Sequence, residues 1–361
     1  MSEKTNIQWC DSTVNPVMGC DGCPLLPAPK HVANMIAHKL VDYGYAFEQS
    51  LRLLKEKFEK MPLTEIYMRR MKIAALTALT LENAGSMSPR EAASFISREI
   101  DAALKCYAAR LHVHRGADPT ISDRKPVNGY AAVFEKVTLF PDRMKKAAKL
   151  PNLSGHARPE RRWLDGLPRL IFVSDMGDAL SNGVKFKYLK EEIIDNVVSD
   201  RGKQHVWLWL TKRPERMAGF DRWLAKHGIE WPDNLIPMTT IIDQDMVNKA
   251  RKLLQVRARA HGLSIEPLWE RLDIELSGWS WVIVGGESGE HSEPFHLEWA
   301  RELLQQCRQK DVAFFMKQIG ENPYEGGVSF PATHHKHGGN WNEWPEDLRV
   351  REFPKSFRTM P

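Results

Sequence analysis

The chain has 361 residues and a formal net charge of +5, with 51 Lys and Arg against 46 Asp and Glu. A composition of 42% hydrophobic and 27% charged residues is typical of a folded globular protein and excludes a disordered one. No apolar run approaches the roughly 20 residues of a membrane helix, and the first ten residues, MSEKTNIQWC, lack the apolar stretch of a secretory signal. We therefore expect a cytoplasmic protein without a membrane-spanning segment. Its modest positive charge allows a nucleic-acid partner without requiring one.

Five cysteines, at positions 10, 20, 23, 106 and 307, point to metal or catalytic chemistry. Their number is odd, and the chain is large enough to fold without covalent cross-links. A disulfide framework is therefore not expected.

The first third of the chain divides into a short N-terminal segment and a helical block. Residues 5–9 favour a first strand, which a cysteine loop follows up to Cys23. Residues 24–105 have apolar side chains every three or four positions. Ser88-Pro89-Arg90-Glu91 reads as a capping box that begins the last helix of this block, near whose end Cys106 lies. We predict three regions: residues 1–23, an all-helical insertion at 24–105, and a barrel with a C-terminal segment at 106–361.

From about residue 134 onward, short β-branched or aromatic runs alternate with helical patterns. Strands are predicted at 137–140, 170–173, 206–210, 236–241, 263–265, 281–284 and 312–316. Helices are predicted at 187–198, 214–226, 243–254 and 297–310. Such alternation forms parallel βαβ units, and the number of units favours a barrel over a flat sheet. The predicted fold class is α/β, a complete or partial (β/α) TIM-like barrel with an all-helical insertion.

Polar residues follow the predicted strands, where the active site of a barrel lies. Glu266 is either a proton acceptor or hydroxyl ligand, or the partner of a basic side chain at the rim. Lys212 either holds a carboxylate or phosphate or forms a rim ion pair, and Lys317 has the same two interpretations. Asp175 and Asp178 either bind a polar substrate or cap the next helix. From these we select Glu266, Lys212 and Asp175 as candidate catalytic residues.

Cys20-Asp-Gly-Cys23 is a CxxC motif, whose thiolates can face one metal ion or one cluster. A structural zinc site would require four ligands, and the chain has no second CxxC. A redox pair or inert thiols are further alternatives. Three cysteines would leave one iron of an iron–sulfur cluster open to a substrate. His334, His335 and His337 lie in a Gly-rich polar stretch that favours a surface loop over a metal site.

Several motifs, in order over nearly the whole chain, resemble an uncharacterised family of phage gene products (thirty-seven and sixty-eight), the three-Cys-motif proteins. The matching stretches are Ile7-Gln-Trp, Asn15-Pro-Val-Met-Gly-Cys20, Cys106-Tyr-Ala, Ile171-Phe-Val-Ser-Asp-Met, Leu210-Thr-Lys-Arg-Pro-Glu-Arg-Met217, Ser264-Ile-Glu-Pro267, Trp281-Val-Ile-Val-Gly-Gly-Glu-Ser-Gly289, Phe315-Met-Lys-Gln318 and Trp344-Pro-Glu-Asp-Leu-Arg349. In short members of that family, the third cysteine closely follows the second. Here 82 residues separate Cys23 from Cys106, and the helical insertion would occupy the gap. The resemblance implies that Cys20, Cys23 and Cys106 are cluster ligands and that Cys10 and Cys307 are not.

The family is similar to radical S-adenosylmethionine (SAM) enzymes, which implies a [4Fe–4S] cluster and SAM as cofactors. Gly285-Gly286-Glu287-Ser288 resembles the stretch that contacts the methionine amine in those enzymes, so these four residues are candidate SAM ligands. Two departures stand against this: the usual CxxxCxxC spacing is absent, and the Gly-Gly-Glu follows a late strand.

Two functional hypotheses follow. The first is an iron–sulfur enzyme of the radical-SAM type, acting on an unknown substrate that is either a small molecule or related to nucleic acid. The helical insertion would be its lid or a docking surface for a partner protein. The second hypothesis is a nucleic-acid-associated phage protein with a structural metal site.

Overall fold

The computed structural model of the chain describes residues 2–23, 25–58, 61–82, 84–114, 129–289, 292–331 and 336–359. The chain forms two compact units, residues 1–16 with 140–361, and residues 17–139. Strands and helices are numbered in chain order through both units. Among the described helices, none is long and apolar enough to cross a membrane.

The first unit contains a sheet of seven parallel strands that curls into a half-barrel. Its strands, in spatial order, are β1 (Ser12–Val14), β4 (Arg169–Val173), β5 (His205–Thr211), β6 (Leu235–Thr240), β7 (Gly262–Ile265), β8 (Trp281–Gly285) and β10 (Ala313–Gln318). A small three-stranded sheet joins β9 (Phe295–His296), β11 (Pro323–Glu325) and β12 (Val328–Ser329). The prediction of an α/β fold with a partial barrel is confirmed.

Helices connect the parallel strands, as the alternation predicted. They are α7 (Arg143–Ala148), α8 (Phe186–Leu189), α9 (Asp195–Val197), α10 (Pro214–Lys226), α11 (Asp245–Ala250) and α12 (Leu297–Gln309). One turn of π-helix, Lys190–Ile194, joins α8 to α9. The helix predicted at 214–226 has those bounds in the structure, where Pro214 occupies a first-turn position whose N–H would have no intrahelical partner.

The concave face of the sheet is apolar and is covered by the two ends of the chain. Inward-facing residues alternate along the strands, and one cluster contains Leu170, Phe172, Val206, Leu208, Ile236, Met238, Trp281, Ile283 and Phe315. Trp9 and Cys10 from the start of the chain, and Phe357 from its end, belong to the same cluster. The residues between them in sequence, such as Trp207 and Trp209, face outward, and Trp209 packs against Phe220 of α10 with ring centroids 5.8 Å apart.

Chain segments outside the sheet also pair with its two edge strands. At one edge, Thr13 of β1 forms an antiparallel bridge with Ser2. At the other edge, the amide of Met316 donates to the Val350 carbonyl at 2.8 Å, and Phe315 forms a bridge with Arg351. Because an exposed edge strand invites pairing with other chains, these segments protect the half-barrel from association at its edges.

The second unit is predominantly helical. Its helices are α1 (Pro29–Val41), α2 (Phe47–Phe58), α3 (Leu63–Met68), α4 (Arg70–Thr80), α5 (Pro89–Ala103) and α6 (Tyr107–His114). A two-stranded antiparallel sheet joins β2 (Val17–Met18) to β3 (Thr138–Leu139). The predicted capping box is present at the start of α5: the Ser88 hydroxyl accepts from the Glu91 amide, and the Glu91 carboxylate accepts from the Ser88 amide. This unit extends beyond the predicted segment 24–105 at both ends, and its origin as an insertion stays a prediction.

Two of the strand predictions were wrong in position or partner. The first strand is not at 5–9 but at Ser12–Val14, because the pattern at 5–9 comes from Trp9 and its neighbours packing into the concave core. Pairing with β4 begins only at Asp11, whose amide donates to the Leu170 carbonyl and whose carboxylate accepts from the Leu170 amide. The strand predicted at 137–140 pairs with β2 in the second unit and is not part of the barrel.

We predict that His205 makes the protein sensitive to mild acid. The ring is buried at the start of β5, and burial lowers the pKa of His205 to about 4, below the ordinary 6.5. The folded chain thus resists a proton that the unfolded chain binds, so this stability is complete above pH 6.5 and is lost as the pH falls toward 4. Urea denaturation between pH 7.5 and 4.5 measures the effect.

The test compares the native protein with His205→Gln, which cannot be protonated. Between pH 6 and 4.5, the free energy of unfolding of the native protein should fall more steeply, by up to about 1.4 kcal/mol per pH unit for one proton. His227→Gln, at an exposed histidine, should keep the native slope. Equal slopes for native and His205→Gln protein would contradict the prediction.

Candidate active site

A layer of polar side chains lies on the concave face at the C-terminal ends of four neighbouring strands. Thr240 ends β6 on the same face as Ile236 and Met238. Thr240 is paired in register with Ser264 of β7. Lys317 of β10 lies on the same face as Phe315. The mouth layer, as we call Thr240, Ser264, Glu266, Gly285 and Lys317, is thus the last inward row above an apolar interior.

Glu266 and Lys317 form the charged centre of the mouth layer. The Lys317 ammonium lies 2.7 Å from Glu266 Oε1, and the two side chains are only 24% and 12% exposed. The hydroxyl of Ser264 donates to Glu266 Oε2 at 3.2 Å. Glu266 therefore has the rim partner considered in the sequence analysis, yet its carboxylate still faces the mouth of the half-barrel beside Gly285.

The two glycines after β8 are required by close packing. A Cβ atom on Gly285 would lie 3.1 Å from Glu266 Oε1. On Gly286 it would lie 2.6 Å from the carbonyl oxygen of Ile319 and 2.9 Å from the amide of Gly320. Gly285 thus leaves room for the Glu266 carboxylate, and Gly286 lets the loop after β8 approach the backbone that follows β10.

Glu287 and Ser288, the other two candidate SAM ligands, have partners within the same unit. Glu287 Oε2 accepts from the Trp269 indole and from the Glu293 amide, both at 3.0 Å. The Gln318 side-chain amide donates to the Ser288 hydroxyl at 2.6 Å. These contacts anchor the loop after β8, so a ligand amine at Glu287 would share the carboxylate with two existing donors.

Asp175 and Asp178, in the turn after β4, have different surroundings. Asp175 Oδ1 accepts from the Asn15 side-chain amide at 2.6 Å, and Asn15 Oδ1 accepts from the Met176 amide at 2.9 Å. Burial raises the pKa of the Asp175 carboxyl, against the opposing effect of the Asn15 hydrogen bond. Asp175 is therefore suited to hold a proton.

Asp178 instead ties two strand ends together and caps no helix. Its carboxylate accepts from the Thr211 hydroxyl at 2.8 Å and from the Leu180 and Lys212 amides at 2.9 and 3.0 Å. Lys212 is placed by its backbone, while its ammonium makes no hydrogen bond or ion pair within the described ranges. Lys212 can thus reach an anionic group of a ligand.

The cysteines fall into two classes. Cys20, Cys23 and Cys106 lie in the helical unit, are partly exposed, and all pack against the same apolar core. Gly19 and Gly22, at φ of +86° and +110°, turn the chain sharply around Cys20. Cys106 immediately precedes α6. Cys10 and Cys307 are buried in the other unit, where burial raises the pKa of both thiols, that of Cys307 to about 12.

The donor chemistry of the three exposed thiols fits an iron–sulfur cluster, since thiolates hold such clusters. Over the described part of the chain, no three His, Cys, Asp or Glu side chains are already grouped to hold a metal ion. Ligation would therefore have to draw the cysteines together. Of the histidines considered earlier, His337 pairs with Glu321 at 2.7 Å, while His334 and His335 lie outside the described residues.

The sequence analysis missed Thr240 and Asn15 as site residues. Both occur in stretches that it identified, Thr240 within a predicted strand and Asn15 in an Asn-Pro motif. The alternation of apolar residues Ile236 and Met238 would have placed Thr240 inward. No comparable sequence signal links Asn15 to Asp175, which is 160 residues away.

We predict that Lys317 and Glu266 stabilise the fold as a pair. Lys317→Met leaves a mostly buried carboxylate without its cation, and should lower the free energy of unfolding by about 1–3 kcal/mol. Adding Glu266→Gln to Lys317→Met should restore part of that loss. Lys355→Met, at an exposed pair with Asp311, is the control and should have no measurable effect. Additive effects of the Lys317 and Glu266 substitutions in urea denaturation would show that the pair is not coupled.

We also predict that Gly286→Ala destabilises the protein in the absence of any ligand. Its Cβ would meet the Ile319–Gly320 backbone, which cannot move as a side chain can, so a loss of about 1–3 kcal/mol is expected. Gly183→Ala is the matched control, because a Cβ there meets nothing within 4 Å. Thermal melts that are equal for the two variants would contradict the packing role of Gly286.

Comparison with known proteins adds a family assignment. Searches of curated proteins and of solved structures found no match to this chain. One family model, described as a protein of unknown function (DUF5131), matches residues 96–345. The matched range includes Cys106, the described strands β4 to β12 and the whole mouth layer, and it begins after Cys20 and Cys23. Because the match covers more than half of its length, the chain belongs to the DUF5131 family.

Proposed function

We propose that the protein is an iron–sulfur enzyme of the radical-SAM type, with a [4Fe–4S] cluster on Cys20, Cys23 and Cys106. To the half-barrel unit we assign the binding of a polar substrate at its strand ends. The resemblance of the cysteine motifs to three-Cys-motif proteins supports the first assignment. The polar mouth layer above an apolar interior supports the second, because active sites of β/α barrels lie at this end of the strands.

The observation that carries the proposal is the separation of the five thiols into two classes. Three are partly exposed beside one apolar core in one compact unit, and two are buried elsewhere. Metal ligation requires thiolates, and burial in apolar surroundings opposes ionisation of Cys10 and Cys307. The three exposed cysteines are the same three that the sequence motifs select.

When bound, a [4Fe–4S] cluster with one open iron supplies an electron to a coordinated sulfonium such as SAM. The chain's own residues bind and orient. Glu266 Oε1 accepts a proton or hydrogen bond from a substrate hydroxyl, and Lys317, 2.7 Å away, holds the carboxylate in place. The Lys212 ammonium receives a carboxylate or phosphate. Asp175, whose pKa burial raises, holds a proton.

We predict that anaerobically purified protein contains about four irons and four sulfides per chain. Cys20→Ser, Cys23→Ser and Cys106→Ser should each lose most of the iron, because serine replaces a soft thiolate ligand by a hydroxyl. Cys10→Ser and Cys307→Ser are matched controls at buried thiols and should keep the native iron content. Iron and sulfide analysis of the folded variants is the measurement.

Two results would overturn the proposal. The first is native protein without iron, and the second is iron whose amount does not depend on Cys106. Stoichiometric zinc that resists dithionite and whose removal unfolds the chain would instead support the competing hypothesis, a nucleic-acid-associated protein with a structural metal. Salt-dependent DNA binding would strengthen that second hypothesis.

A further inference from the structure

Thr240 carries a buried hydroxyl that the fold does not use. The residue is 2% exposed, and over the described ranges its Oγ1 has no hydrogen-bond partner. Its neighbour Thr239 faces the other side of β6, where its hydroxyl donates to the Thr211 carbonyl at 2.9 Å. A buried hydroxyl without a partner is costly, so Val would suit position 240 better if packing were the side chain's only role.

The remaining polar groups around Thr240 are neutral as a set. Ser264, its partner in register, donates to Glu266 Oε2, and Lys317 neutralises Glu266 at Oε1. A carboxylate accepts about four hydrogen bonds, so Glu266 keeps lone pairs for further donors. The mouth layer thus offers carboxylate acceptors and one hydroxyl that both donates and accepts, without net charge.

We propose that the mouth layer binds the vicinal diol of a ribose, and therefore a nucleoside-type ligand. Two adjacent hydroxyls can donate to the Glu266 carboxylate, as the acidic residue of dinucleotide-binding folds accepts from ribose. One of these hydroxyls also exchanges a hydrogen bond with Thr240 Oγ1. Gly285 gives the sugar access to Glu266, because any side chain there would contact the carboxylate. This inference rests on the proposed function in placing a ligand at the strand ends, and it names the class of that ligand.

The ligand side of the test compares nucleosides with and without the diol. Binding to the full-length protein is measured by calorimetry for adenosine, guanosine, cytidine, uridine and SAM, and for the 2′,3′-dideoxy form of each nucleoside. At least one ribose-bearing compound should bind, and loss of its diol should weaken binding about 10-fold or more. Binding of SAM alone would identify the cofactor as the source of the ribose, and binding of a nucleoside would identify a substrate.

The protein side compares two neighbouring threonines on opposite faces of β6. Thr240→Val should weaken binding of the ribose ligand about 3- to 10-fold and leave the melting temperature of the unliganded protein equal or higher. Thr239→Val removes a structural hydrogen bond, so it should lower the melting temperature and leave the affinity unchanged. Glu266→Gln should weaken binding through the weaker acceptor and provides a second, isosteric variant.

The proposal is overturned if none of the five compounds binds, if the dideoxy forms bind as well as the parents, or if Thr240→Val leaves the affinity at the native value. These measurements need no iron. Failure here would therefore leave the cluster assignment standing, and failure to find iron would leave the ribose site standing.

Discussion

The side chain of Trp281 joins the half-barrel to both ends of the chain. Its ring lies 6.1 Å from that of Trp9, 5.1 Å from that of Phe353 and 5.6 Å from that of Phe357, measured between centroids. Its indole N–H donates to the Glu352 carbonyl at 3.0 Å. An open parallel sheet must have both faces covered, and here helices cover the convex face while the chain ends cover the concave one. Without this contact, the apolar interior would face water.

The same arrangement decides where ligands can bind. Terminal segments fill the interior of the half-barrel, so the inward-facing positions remaining for chemistry are those at the last turn of each strand. There the side chains change from apolar to polar within one step of the alternation, from Met238 to Thr240 and from Phe315 to Lys317. Glu266 lies among them, next to a glycine that leaves it space. The mouth layer is thus a direct consequence of period-two alternation in parallel strands.

Much of this could be predicted from the sequence, because most of the strands and helices have strong local patterns. The β4–α10 region and the capping box at Ser88 were found from periodicity and capping residues alone. The first strand was misplaced, because an aromatic segment that fills a core has the same composition as one that joins a sheet. The pairing of Asn15 with Asp175 and the backbone contact of Gly286 arise between distant parts of the chain, and no local pattern encodes them.

The central claim is that three thiols of the helical unit hold a redox-active cluster open to SAM. The most direct measurement is the EPR spectrum of the anaerobic, dithionite-reduced protein, recorded with and without added SAM. The account predicts a [4Fe–4S]⁺ signal that changes shape when SAM binds the open iron. A spectrum that SAM leaves unchanged would contradict a SAM-binding cluster, and the absence of any cluster signal from iron-loaded protein would contradict the cluster itself.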